Sequence, residues 1–130
     1  MVKDDLRKRG LGFTIEQLIE QQDLFNQGAQ QMAEKRWQEA EQTFRRIIAM
    51  ADVLPQPNGN LGIMLLMQRR WDESEAALRR ALEIDPDYQL ARDNLALLEK
   101  IRKTGKLPEE FKITSPFNDK DLNISLVIRD

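Results

Sequence analysis

Residues 58–86, NGNLGIMLLMQRRWDESEAALRRALEIDP, decide the fold. They read as two helices joined by a short turn near Arg70 and closed by Pro86. Moved back by 34 residues, the stretch sets Asn26, Gly28, Trp37, Glu39, Glu41, Arg45 and Arg46 against Asn60, Gly62, Trp71, Glu73, Glu75, Arg79 and Arg80. The residue type is the same in every pair. Two tryptophans at that spacing could coincide by chance; seven pairs in one frame are the mark of stacked helix-turn-helix units.

In the second unit Leu61-Gly62, Leu65, Ser74, Leu78 and Pro86 follow Asn58 at fixed offsets, and Ala81-Leu82 form a small-then-large pair late in the second helix. The first unit gives Leu24, Gln27-Gly28, Gln31, Ala40, Phe44 and Asp52 at the same offsets, and a half unit follows with Asn94, Leu95 and Ala96. This pattern resembles the tetratricopeptide repeat over roughly residues 21–103. Gln27, Gln31 and Asp52 are the departures, all in the first unit. The resemblance implies an all-α, α-α superhelix of tetratricopeptide-like helix-turn-helix repeats, with a capping helix and a short extended C-terminal tail. The expected layout is a lead over 1–13, a repeat domain over 14–104 and a tail over 105–130. Within the repeat domain the units fall at about 21–54 and 55–88, with the capping helix at 88–104.

Composition fits one domain of 130 residues, 41% hydrophobic and 32% charged. The net charge is −2, from 20 basic and 22 acidic residues, so no basic excess marks a nucleic-acid partner. The absence of cysteine excludes disulfides and thiol chemistry, and the absence of histidine removes the commonest general base and metal ligand. No apolar run approaches the roughly 18 residues that span a membrane, and the N-terminus lacks a signal-peptide core. A cytoplasmic protein is the default expectation.

Along the chain, Thr14 and Gln17 form a capping box with Phe13 and Leu18 as its hydrophobic staple, opening a helix that runs to about Lys35. A second helix is expected over Trp37–Ala51, with Ala40, Phe44, Ile47 and Ile48 on one face. Pro55 and Pro57 break the chain before a third helix, about Pro57–Arg69, that is apolar nearly all round. Such a helix is either covered on both sides or presents a binding surface. A fourth helix covers Trp71–Ile84. Asp87 is the expected N-cap of a fifth, Tyr88–Thr104, which Gly105 ends. Trp37 and Trp71 are expected at equivalent sites where the helices of each unit meet. Beyond Gly105, Leu107–Phe111 reads as one helical turn with Pro108 at its first position. Residues 122–128 alternate as a strand for which nothing else in the chain reads as a partner.

No catalytic or metal constellation is recognisable, and no cofactor is expected. Asp85 with Asp87, and Asp119 with Asp121, fit turn or capping roles. In repeats of this kind the first helices line a concave groove where partners bind. That resemblance places Phe25, Asn26, Ala29 and Met32, then Asn60, Ile63, Leu66 and Met67, then Asn94 and Leu97 in the groove. Asn26, Asn60 and Asn94 recur at one 34-residue step. Their amides suit an extended peptide backbone, or they solvate the groove. The lysine and arginine clamp of members that bind acidic tails is absent, since Phe25, Ala29, Leu90 and Asn94 hold those places and only Asn60 is kept. Arg45, Arg46, Arg79 and Arg80 face nearby glutamates and read as a solvated surface.

The function expected is a non-catalytic protein- or peptide-binding module, an adaptor or scaffold, with no nucleic acid or membrane partner. The alternative is a docking or regulatory domain of an enzyme whose catalytic part begins near residue 112, and self-association stands third. The lone strand needs a cover: the groove, the matching strand of a second copy in a homodimer, or a further domain.

Overall fold

The computed structural model describes residues 14–107, 110–113 and 124–127. Five helices run α1 (Ile15–Ala33), α2 (Trp37–Met50), α3 (Pro55–Met67), α4 (Trp71–Ile84) and α5 (Gln89–Thr104), followed by β1 (Glu110–Ile113) and β2 (Ile124–Val127). Each helix packs on the next, and α3 also touches α5. The architecture is the expected all-α stack of helix pairs.

The start of α1 follows from its first four residues. Gln17 donates its backbone N–H to Thr14 Oγ1 at 3.2 Å, and Thr14 donates its own to Gln17 Oε1 at 2.9 Å. Two amides that no helical carbonyl can reach are thereby satisfied. Phe13, the expected staple, lies outside the described residues.

Both elbows have one geometry. After α1, Lys35 N–H donates to Met32 O and Arg36 N–H to Gln31 O; after α3, Arg69 donates to Leu66 O and Arg70 to Leu65 O. These are paired Schellman closures, and they put Lys35 and Arg69 at φ 62. Glycine usually takes that left-handed place, and a side chain there costs about 1 kcal/mol. Arg69 uses the conformation: its guanidinium lies 6.0 Å from the Trp71 ring centroid and donates to Gly105 O at 2.9 Å.

The helix contact inside each unit also repeats. A Cβ on Gly28 would stand 2.9 Å from the Phe44 ring, and one on Gly62 would stand 2.7 Å from Leu78 Cγ and Cδ2. Glycine lets the large residue of the second helix lie against the backbone of the first. Phe44 and Leu78 are consequently fully enclosed. Trp37 and Trp71 are half-buried at the first positions of α2 and α4, packed against the core from its margin. They are equivalent to each other, as expected, but the central anchors are Phe44 and Leu78.

The first unit's departures have local compensation. Buried Gln31, in the place of Leu65, accepts at 2.6 Å from the hydroxyl of buried Thr43, in the place of Ala77. Asp52, in the place of Pro86, accepts from Asn58 Nδ2 at 2.6 Å and Arg80 Nε at 2.9 Å, tying the end of α2 to α3 and α4. Gln27 is exposed, so polarity there costs nothing.

Three boundary expectations are corrected. Helix α3 begins at Pro55, not Pro57, because both prolines fall in the first turn, where the missing N–H has no helical acceptor to lose. Asp87 does not cap α5. Tyr88 takes the N-cap position and makes no capping bond from its side chain, while the Asp85 carboxylate accepts from Asp87 N–H at 3.0 Å in a turn. The helical turn expected over Leu107–Phe111 does not extend to Glu110 and Phe111, which belong to β1.

That strand supplies the partner the sequence reading lacked. β1 and β2 pair antiparallel, Glu110 with Val127 through Ile113 with Ile124. The residues Glu110-Phe111-Lys112-Ile113 alternate with period two, a signal obscured by the helix-favouring Pro108-Glu109 before them.

Candidate functional site

The ten residues expected in the groove divide by exposure. Phe25, Met32, Asn60, Ile63, Leu66, Met67 and Asn94 are buried; Ala29 and Leu97 are half-buried; Asn26 alone is exposed. The asparagine series is thus split, with Asn60 fully enclosed and Asn94 buried while Asn26 is open. Phe25 is drawn inward by an edge-to-face contact with Phe44, ring centroids 5.5 Å apart.

All thirteen residues of α3 are buried. An all-round apolar helix must be covered, and here it is. The polar residues Gln56, Asn58 and Asn60 are buried among its apolar ones. Tyr88 and Leu90, at the start of α5, lie close enough to Gly59 that a Cβ there would stand 2.9 Å from the Tyr88 ring.

Sequence reasoning missed a polar centre where the two units meet. Between the elbows lie adjoining clefts of about 470 and 720 Å3, bordered by Gln38, Gln42, Gln68 and Arg70 and reaching Lys35, Arg36 and Trp37. At their base the Glu41 carboxylate, 5% exposed, accepts from Arg70 Nη1 at 2.7 Å, Gln68 Nε2 at 2.9 Å and Arg45 Nε at 2.9 Å. Arg45 and Arg70 also meet Glu73, so this network joins the two units. Arg80 reaches Asp52 and Glu83, and Arg79 reaches Glu75. Three of the four arginines expected on a solvated face are therefore paired, and Arg45 and Arg80 bridge the units. The 34-residue match of Glu41 with half-buried Glu75, which faces Arg79 and Arg102, was the available signal.

Burial pushes the Glu41 carboxyl up, but the hydrogen bonds from Gln68, Arg45 and Arg70 outweigh it and hold the group below its ordinary value. A depressed folded-state pKa contributes stability that is fully present above the unfolded carboxylate value, about 4.3, and is lost as pH falls through the folded value. Glu41→Gln is therefore expected to lower stability at pH 7 by about 1–2 kcal/mol. The gap to wild type should narrow at pH 3, as the wild-type carboxyl takes up its proton. Urea unfolding at the two pH values checks this; equal stability at pH 7 would show that the network contributes nothing.

Among the described residues, no group of three potential ligands could hold a metal ion, and no helix is long and apolar enough to cross a membrane. The described Asp85 and Asp87 form a turn; Asp119 and Asp121 lie outside the described residues.

Paired helices on a common 34-residue geometry, each closed by the same left-handed elbow, define a helical repeat protein. Residues 57–88 match the tetratricopeptide repeat family. No curated protein matches the chain. Tetratricopeptide repeats generally mediate protein–protein interaction and are typically non-catalytic.

Proposed function

We propose that the chain is a non-catalytic adaptor or scaffold that binds an extended segment of a protein partner along the side formed by α1, α3 and α5. The observation that carries this reading is the tetratricopeptide unit at 57–88, stacked between α1–α2 and α5. Such stacking sets first helices side by side and gives an extended binding surface. The accessible part of the expected groove is Asn26 with Ala29 on α1 and Leu97 on α5, on either side of the covered α3. An asparagine amide offers a donor and an acceptor to a peptide backbone. The partner is a protein rather than nucleic acid, in keeping with the paired, nearly neutral charge.

The test is affinity capture by the intact chain and by an Asn26→Arg/Ala29→Arg variant, with melting curves for both. Asn26 is exposed and Ala29 half-buried, so the variant should melt within a few degrees of wild type. A protein taken up by wild type and lost by the variant supports the groove; equal uptake by both removes it.

A further inference from the structure

Helix α1 starts earlier than the repeat frame requires. By the 34-residue step Gln21 answers to Pro55, the first residue of α3, so residues 15–20 are an addition. α1 has 19 residues where α3 has 13. The added turns bring little to the core: Glu16 and Glu20 are exposed, and Gln17 and Leu18 are half-buried. Ile15 and Ile19, at 40% and 57%, are the most exposed large apolar residues among those described. Counted round the helix at about 100° per residue, both lie opposite the buried stripe of Leu24, Gly28 and Gln31. They stand a turn apart on one side, facing away from the core. The stripe continues through exposed Gln22 and Asn26. Positions 15, 19, 22 and 26 have the four-three-four spacing of a seam against which a second helix sets its side chains. The seam is about 17 Å long, or about three helical turns.

The charge along the seam says what such a helix must carry. Glu16, Glu20 and Asp23 stand along one flank, and α1 contains no lysine or arginine. The carboxylates of α2 and α4 are placed differently: Glu39, Glu41, Glu73, Glu75 and Glu83 each meet an arginine. A second copy of α1 would bring three more acids and no cation, so pairing of two copies through this seam is opposed. An anionic lipid surface meets the same repulsion. A basic helix is attracted along the whole flank. The chain itself enters α1 on the core side, where half-buried Thr14 is bonded to half-buried Gln17, and this cap turns no part of itself towards the seam.

We propose that the N-terminal half of α1 docks an amphipathic helix of a partner protein, with apolar residues lying on Ile15 and Ile19 and lysines or arginines beside Glu16, Glu20 and Asp23. This surface adjoins the groove proposed above and is additional to it, so that one chain can hold two protein segments at once.

The test uses the full chain and a synthetic helical peptide of about 18 residues, with leucine on one face and lysine on the other. The same peptide with glutamate in place of lysine is the comparison. The lysine peptide should bind wild type and shift the backbone amide signals of the N-terminal half of α1; the glutamate peptide should not bind. Ile15→Gln/Ile19→Gln should melt within a few degrees of wild type, since both residues are exposed, and should bind the lysine peptide about tenfold more weakly. Glu20→Lys/Asp23→Lys should reverse the preference and take the glutamate peptide instead. Equal binding of the lysine peptide by wild type and the isoleucine variant would overturn the proposal. Signal shifts centred on Ala29 and Leu97 would assign the peptide to the groove and overturn it too. So would contacts from residues 1–13 to the Ile15 or Ile19 methyl groups in the free chain, or a wild-type dimer that Ile19→Gln dissolves.

Discussion

Phe44→Ala should lower the stability of the chain by about 3–5 kcal/mol, the cost of emptying a fully enclosed aromatic site. The ring is 0% exposed, lies against the backbone of Gly28 and meets Phe25 edge to face. Nothing near it can collapse easily, because the ring fills the space between two helix backbones rather than a gap among flexible side chains. Trp37→Ala removes a larger ring but one that is half-buried; it should cost about 1–2 kcal/mol, following the smaller apolar area returned to water. Urea unfolding of the two variants under the same conditions provides the measurement. A greater loss for Trp37→Ala would mean that the unit is anchored at its elbow instead of at the glycine contact.

Ile63→Asp is the second expected large effect, and it separates a covered α3 from an open one. On an accessible groove wall an aspartate would change stability by a few tenths of a kcal/mol. At a site with 0% exposure, a carboxylate must either lose its hydration or take up a proton, at a cost on the order of 4 kcal/mol. That is a large share of the stability of a small domain. The variant should show no cooperative melting transition near that of wild type by circular dichroism. A transition within a few degrees of wild type would place Ile63 on an open surface.

The repeat frame was legible because its signals are local or periodic. The 34-residue pairs, the Thr14–Gln17 capping box and the apolar faces of α2 and α4 depend on neighbours within a turn or on a constant offset. Ends of helices came within a few residues, with Pro55 the instructive case: a proline reads as a breaker although a first helical turn accepts it. Periodicity says which residues of a helix are apolar and stays silent on what lies against them. Met32, Ile63 and Leu66 could therefore be assigned to a groove wall when the chain encloses them. Asn60 is a like case, because an amide looks like a surface group until its burial is known. The pairings Gln31–Thr43, Asp52–Arg80 and Glu41–Arg70 join residues 12, 28 and 29 positions apart. No single-sequence pattern marks contacts of that kind, and in each the polar residue looked like a defect or a solvated charge. β1 was missed for another reason, since four alternating residues carry too little signal against the preceding Pro108-Glu109.

The common elbow at Lys35 and Arg69 has a modular consequence. Residues 37–70 form a cassette that enters just after one left-handed closure and leaves just after the next. A tandem copy of that cassette would meet the chain at each junction in the conformation already present there. The array could thus be lengthened from within, without designing a new joint. Lys103, the next position at the same step, still lies inside α5, and the left-handed residue comes only at Gly105. The joint is out of phase by two residues there, so a cassette grafted behind α5 would start with its helices rotated away from the stack.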